Sequence, residues 1–306
     1  MFISFIRGLT TLIVGSLVTL TMCLLGIVLG ILQRILSLFG LETSFQIPIF
    51  GVWSIFIHEL CLERMLGMET KISGRVRAIQ KDEIVVCIAN HPSTIASASL
   101  SWFVYHYLSR RMLVVSKIEH LGNIRGWIME RLRRVPRAQR RQSFGNPLGW
   151  CMNALNSAIF VDRNDPAQSE RAIVSRMSNG VPTPCTLILL PDSGRPSMKV
   201  IQEDVKRFEG KFPDIASKLK RTRFPRVGAV HSTSEALRGK KVRWVDLTIK
   251  LLPVDWSIFD IFKQAKWVLR MDFREVTLPV EKNEQGEWLV QDWIGKNELI
   301  DIWEKE

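Results

Sequence analysis

The feature that most constrains this chain is a run without a single charged residue from Gly8 to Gln33, bracketed by Arg7 and Arg34. Leu, Ile, Val, Thr and Gly fill it. A bilayer core of roughly 30 Å takes about 20 apolar residues in a helix, so the run is long enough to span one. A cleaved signal peptide has a shorter apolar region and a small-residue cleavage site, and fits less well. A second apolar stretch, Ile47 to Leu62, carries Trp53, Phe56, His58 and Glu59. Its length and polarity fit a half-inserted or interfacial helix, the return arm of a hairpin, or a helix packed on the domain. Residues 1–68 are therefore expected to form a membrane anchor and 69–306 a single domain.

The chain holds 42 Lys and Arg against 30 Asp and Glu, a formal net charge of +12. That surplus points to anionic partners and, beside an anchor, to the cytoplasmic face of a cell (inner) membrane. Much of it lies in Arg125, Arg131, Arg133, Arg134, Arg137, Arg140 and Arg141, interleaved with Trp127, Ile128, Met129, Leu132 and Val135. This stretch reads as a surface resting on anionic lipid or as a solvated helix face. Nucleic acid is not an expected partner, because no zinc-finger or RNP-type motif accompanies the charge. The five cysteines, Cys23, Cys61, Cys87, Cys151 and Cys185, are scattered without a C-x-x-C pair, so they are expected to be reduced and no metal site is expected.

Behind the anchor, short β-branched runs alternate with helical segments. Strands are expected at 84–89, 112–116, 158–161, 186–190, 227–231 and 242–252, and a helix over Ser93 to Leu108. Asn283 to Gln291 reads as a turn followed by a short terminal element. The alternation predicts an α/β fold, a largely parallel central sheet flanked by helices, with an N-terminal membrane helix or helical hairpin. Ligands in such sheets sit beyond the carboxyl ends of the strands.

Three strand-end loops hold the polar residues of interest. Asn90-His91-Pro92-Ser93 follows the first strand, and an imidazole there can take a proton from an attacking hydroxyl or merely cap the next helix. Phe160-Val161-Asp162-Arg163 ends a strand on a guanidinium, which suits a phosphate or a local salt bridge. Leu190-Pro191-Asp192-Ser193-Gly194-Arg195-Pro196-Ser197 is a turn in which Gly194 lets backbone approach a ligand and Arg195 can pair with phosphate. No G-x-S-x-G elbow is present, which weighs against a serine hydrolase.

In order and spacing these loops resemble the glycerolipid acyltransferase family, in its lysophosphatidate acyltransferase branch. The family's Asn-His-x4-Asp motif is matched by Asn90 and His91, its Phe-x-x-Arg by Phe160 to Arg163, and its Pro-Glu-Gly-Thr-Arg-Ser loosely by Pro191, Asp192, Arg195 and Ser197. Pro225 to Val230 loosely matches a fourth motif, a strand with a nearby proline. Lys117 and Gly126-Trp127 sit where the family has a Lys and a Gly-Trp. The resemblance covers roughly residues 70 to 235. It implies acyl transfer from acyl-CoA or acyl-carrier protein, as co-substrate, to a hydroxyl of a lysophosphatidate-like lipid, with His91 as general base and no further cofactor or metal. Arg163 and Arg195 would hold the acceptor phosphate, with Asp192, Gly194 and Lys117 also lining the substrate. One departure is prominent: Ala96 stands where the motif aspartate belongs. The chain is then an enzyme in which another acid such as Asp192 serves, a variant inactivated by alanine in place of the aspartate, or a naturally inactive family member that binds lipid or acts as a scaffold.

Overall fold

A computed structural model of the chain describes residues 2–41, 43–91, 96–132, 144–162, 164–192, 194, 197–210, 213–252 and 266–306. The expected Arg163 and Arg195, residues 92–95, which include the expected start of the helix Ser93 to Leu108, and 133–143, which hold most of the basic run, lie outside the described residues.

The chain begins with α1 (Phe2–Leu38), α2 (Gln46–Ile55), which continues as a π-helix over Phe56–Met65, and strand β1 (Met68–Arg75). Then come β2 (Ile84–Ala89), α3 (Ala96–Phe103) with a π-helical extension Val104–Leu108, β3 (Met112–Lys117), α4 (Ile118–Leu121), α5 (Ile124–Leu132) and α6 (Pro147–Ala154). β4 (Ala158–Val161), α7 (Pro166–Ser178), β5 (Cys185–Leu189), α8 (Met198–Glu209), α9 (Pro213–Ala216) and α10 (Gly228–Ala236) follow. The chain closes on β6 (Val242–Leu252), β7 (Trp267–Val276) and α11 (Lys282–Lys305).

The strands form one seven-stranded sheet in the order β1-β7-β6-β2-β5-β3-β4. Every neighbouring pair is parallel except β6 and β7. The expected mixed α/β architecture with a mostly parallel sheet is the one observed. β2 and β5 are buried along their whole length, which is why both read as unbroken apolar runs. Two apolar clusters cover the sheet. One gathers α2, α3 and α6 side chains, among them Phe50, Phe103 and Met152. The other gathers α7, α10 and α11 side chains, among them Ile173, Val230 and Trp293.

Three expectations are corrected. Residues 227–231 are not a strand: Val227 caps α10 and the helix takes the rest, because Val230, Thr233 and Leu237 are buried and recur at helical spacing. The family-like fourth motif thus falls on a helix start. The C-terminal region is not a turn with a short element but the 24-residue α11. Its buried stripe includes Asp292, Lys296 and Asn297 beside Leu289, Trp293 and Ile300, and those polar members mask the apolar period. Finally, β1 and β7 were not expected. β7 alternates cleanly, with Trp267, Leu269, Met271 and Phe273 buried.

Among the described residues, one helix is long and apolar enough to cross a membrane, over Ile3–Leu38. At 1.5 Å per residue the whole of α1 is about 55 Å long. It is not free of the domain. Trp53 Nε1 donates to Thr19 Oγ1 at 3.1 Å, and Arg34 Nη2 donates to the Asn153 carbonyl at 2.9 Å. Gly26 and Gly30 form a small-residue face against α6, where a Cβ added to Gly30 would stand 2.6 Å from the Ala154 carbonyl oxygen. The opposite face exposes Ile13, Leu17, Leu20, Leu24, Val28, Ile31 and Ile35. The second apolar stretch, α2 with its π-helical extension, is packed on the core through Ile49, Phe50, Ile57, Cys61 and Leu62. All five cysteines are free and buried.

Candidate active site

Neighbouring parallel strands β2, β5 and β3 end on the same edge of the sheet, so the loops after them meet. β2 delivers Asn90 and His91, β5 delivers Leu190, Pro191 and Asp192, and β3 ends on Ser116 and Lys117. These loops stand on a cavity of about 750 Å3 whose lining includes His91, Ser116, Lys117, Pro191 and Gly194.

Asn90 has its amide fully engaged. Its Nδ2 donates to the Ile249 carbonyl and its Oδ1 accepts the Ile249 N–H, each at 2.8 Å. The side chain thereby continues the β2–β6 ladder one residue past Ala89 and holds the following His91 at the sheet edge. His91 itself is half-buried and faces the cavity.

Asp192 comes from the adjacent loop and reaches His91. The His91 backbone N–H donates to Asp192 Oδ2 at 2.6 Å. The Asp192 side chain is fully buried, and its Oδ1 has no hydrogen-bond partner among the described residues. Burial pushes its carboxyl up to about 7, opposed by the His91 N–H and by the charges of Arg223 and Lys296. The carboxyl is thus poised near neutrality beside the histidine. The loop is held from behind, since the Arg226 N–H donates to the Pro191 carbonyl at 3.0 Å.

Beneath this loop lies a buried ionic cluster. Lys296 Nζ pairs with Asp246, donates to the Leu247 carbonyl at 2.9 Å and lies 3.5 Å from Asp292 Oδ2. Arg274 Nη2 closes the cluster on Asp292 Oδ1 at 2.8 Å. Burial raises the Asp246 carboxyl to about 6, against the lowering effect of Lys296.

Ala96 opens the described part of α3 and is completely buried in the α2–α3–α6 cluster. A buried methyl group thus stands at position 96. The structure brings His91, Asn90, Asp192, Gly194 and Lys117 to one edge. Several further cavity residues escaped the sequence reading: Ser116 and His120, joined Oγ to Nδ1 at 2.9 Å, and Arg226, His231 and Lys282. The first pair was signalled by its i, i+4 spacing where β3 runs into α4. The others depend on which helices flank the strand ends, and no local pattern encodes that.

The cavity changes character along its length. Toward α2 and α6 it is lined by Phe50, Trp53, Leu100, Leu148 and Met152. Toward α7, α10 and α11 it is lined by the polar Ser169, Glu170, Arg226, His231 and Lys282, set among Pro166, Ile173 and Ala229. It passes between the two apolar clusters over the carboxyl edge of the sheet, touching Leu189, Leu190 and Pro191 on the way. Such a shape accepts a ligand that is apolar at one end and ionic at the other. Among the described residues, no group of three or more His, Cys, Asp or Glu is placed to hold a metal ion.

No protein-family model and no curated protein matches the sequence. Among solved structures, the chain is similar to the 1-acyl-sn-glycerophosphate (LPA) acyltransferase PlsC from Thermotoga maritima, at 14% sequence identity and a TM-score of 0.44, over 83% of this chain and 79% of that one.

Proposed function

We propose that this chain is a membrane-associated O-acyltransferase that moves a fatty acyl group from a thioester carrier, acyl-CoA or acyl-carrier protein, to a hydroxyl of a lysophosphatidate-like glycerolipid. The observation that carries this reading is the pairing of His91 with the buried Asp192 across two adjacent strand ends, at the mouth of a cavity apolar at one end and ionic at the other. The order of motif-like loops in the sequence points the same way.

His91 acts as general base. It takes the proton of the acceptor hydroxyl as the oxygen attacks the thioester carbonyl, the new C–O bond forms, and the C–S bond breaks. The proton then passes to the departing thiolate, which leaves as a thiol. No acyl-enzyme is needed. Asp192 supplies the carboxylate that the alanine at position 96 cannot. Its hydrogen bond fixes the His91 backbone, and its negative charge favours the imidazolium that forms during attack. Lys117, Arg163 and Arg195 hold the acceptor phosphate. The exposed apolar face of α1 seats the protein at the lipid surface on the cytoplasmic side, and the apolar lobe beside α2 and α6 receives acyl chain.

The buried methyl of Ala96 favours a second reading, a lipid-binding or scaffold protein that has kept the fold without the reaction. One assay separates the two: release of thiol from a long-chain acyl-CoA, and separately from acyl-carrier protein, in the presence of lysophosphatidate. The enzyme reading expects acceptor-dependent thiol release that His91→Ala abolishes. Release that survives in His91→Ala rejects that residue as base. No release with either donor, together with retained lysophosphatidate binding, establishes the second reading instead.

A further inference from the structure

A linear thioester places constraints on a two-lobed cavity. Its acyl chain and its carrier arm leave the reacting carbonyl in opposite directions. If the carbonyl lies at His91 and the chain fills the lobe beside Phe50, Trp53 and Met152, the sulfur must point over the sheet edge toward α7, α10 and α11.

That second lobe has no role in the chemistry derived so far, and its composition is specific. Arg226 and Lys282 are exposed on its wall and their side chains form no hydrogen bond or ion pair among the described residues. His231 is turned by the hydrogen bond between its Nδ1 and Gln285 Oε1 at 3.2 Å. Gln285 is itself fixed, since its Nε2 donates to the Pro279 carbonyl at 2.8 Å. A Cβ added at Gly228 meets nothing within 4 Å, so backbone is open to a ligand there. Glu170 is the acidic group among the described lining residues, beside the cations Arg226 and Lys282 in the same lining.

We infer that this α7–α10–α11 lobe binds the phosphopantetheine arm of the acyl donor, with Arg226 and Lys282 on its phosphate and His231 on its amide-bearing chain. The inference rests on the acyltransferase reading and adds which end of the cavity takes which substrate. Two exposed cations whose side chains have no partner among the described residues suit a phosphate. An apolar wall would repel the arm's amides, whereas an oriented imidazole and exposed backbone can hydrogen-bond to them. The acceptor phosphate, by contrast, stays with the loops around His91.

The test uses the full chain in detergent and soluble donor probes that carry no acyl group. Isothermal titration measures 4′-phosphopantetheine and coenzyme A as donor probes and lysophosphatidate as acceptor, for the native protein and for Arg226→Glu/Lys282→Glu. A circular-dichroism melt checks that the variant is folded. The variant is expected to bind both donor probes about tenfold more weakly, as loss of a charge-assisted phosphate pair implies, with lysophosphatidate binding unchanged. His231→Ala is expected to weaken both donor probes and leave their salt dependence unaltered. Equal affinity for the two probes in the native protein assigns recognition to the shared arm, and tighter coenzyme A adds its nucleotide phosphates. Donor binding unaltered by the double reversal, or a loss confined to lysophosphatidate, overturns the inference while leaving the transferase reading in place. A native protein that binds neither donor nor acceptor removes that reading itself.

Discussion

Replacing Asp192 by Asn separates what this carboxyl does for catalysis from what it costs the fold. Burial raises it from an ordinary carboxylate value to about 7. The folded state therefore holds a proton that the unfolded chain releases, so its contribution is most favourable below the ordinary carboxylate range and declines as pH rises toward 7. About three pH units at about 1.4 kcal/mol each give a loss on the order of 4 kcal/mol across that window. Asn is nearly isosteric and keeps an oxygen for the His91 N–H, but it does not titrate. Its amide places N–H donors where Oδ1 now lacks a partner among the described residues, at a cost of about 1–3 kcal/mol. Asp192→Asn should then be more stable than the native protein at pH 8, by about 1–3 kcal/mol once both effects are combined. It should also lose its share of the pH dependence between 4 and 7. Urea unfolding of both proteins at pH 5, 6, 7 and 8 reads this directly. Asp246, raised to about 6, titrates in both and cancels in the difference. Turnover should fall about 100-fold, at the low end for a proton-transfer group, because the carboxylate touches His91 through its backbone. Parallel stability–pH curves for the two proteins, or a variant less stable at pH 8, would refute the reasoning.

Three further outcomes follow from the same geometry. Asn90→Ala leaves the buried N–H and carbonyl of Ile249 without their side-chain partners and should cost about 2–4 kcal/mol in chemical denaturation; a cost under 1 kcal/mol would mean that water replaces the amide. Lys296→Met leaves the buried Asp246 and Asp292 with Arg274 as their remaining cation and should destabilise by about 3–5 kcal/mol at pH 8, with partial recovery at pH 5 as Asp246 protonates; equal losses at both pH values would contradict the ionic role of Lys296. Ala96→Asp should raise turnover by at least about tenfold while lowering stability, since it buries a carboxyl in an apolar cluster; an unchanged rate would leave Asp192 as the carboxylate in use.

The strands that build the site were readable because β2 and β5 are buried on both faces and so consist of uninterrupted apolar residues. The position of His91 and Asp192 at strand ends followed from that reading. Their contact did not, because it depends on β5 lying beside β2 in the sheet, although β3 and β4 come between them in sequence. β1 escaped notice because its outer residues are exposed along most of its length, as an edge strand allows. α10 was mistaken for a strand because Val227-Gly228-Ala229-Val230 is short and apolar, and only the burial of Thr233 and Leu237 reveals the helical period. The ionic lobe of the cavity was illegible for a different reason: Arg226, His231 and Lys282 come from separate segments joined only by the tertiary fold.

The way α1 is mounted has a mechanical consequence. From Thr19 against Trp53 to Arg34 against Asn153, the helix is fastened to the domain by packing and hydrogen bonds rather than leading into it through a hinge. Whatever depth α1 takes up in a lipid layer, the apolar mouth between α2 and α6 takes up with it, since both helices touch α1 directly. Reach is thereby exchanged for alignment. A cavity on a leash would sample many heights above the headgroups; in the proposed membrane seating this one is keyed to a single level.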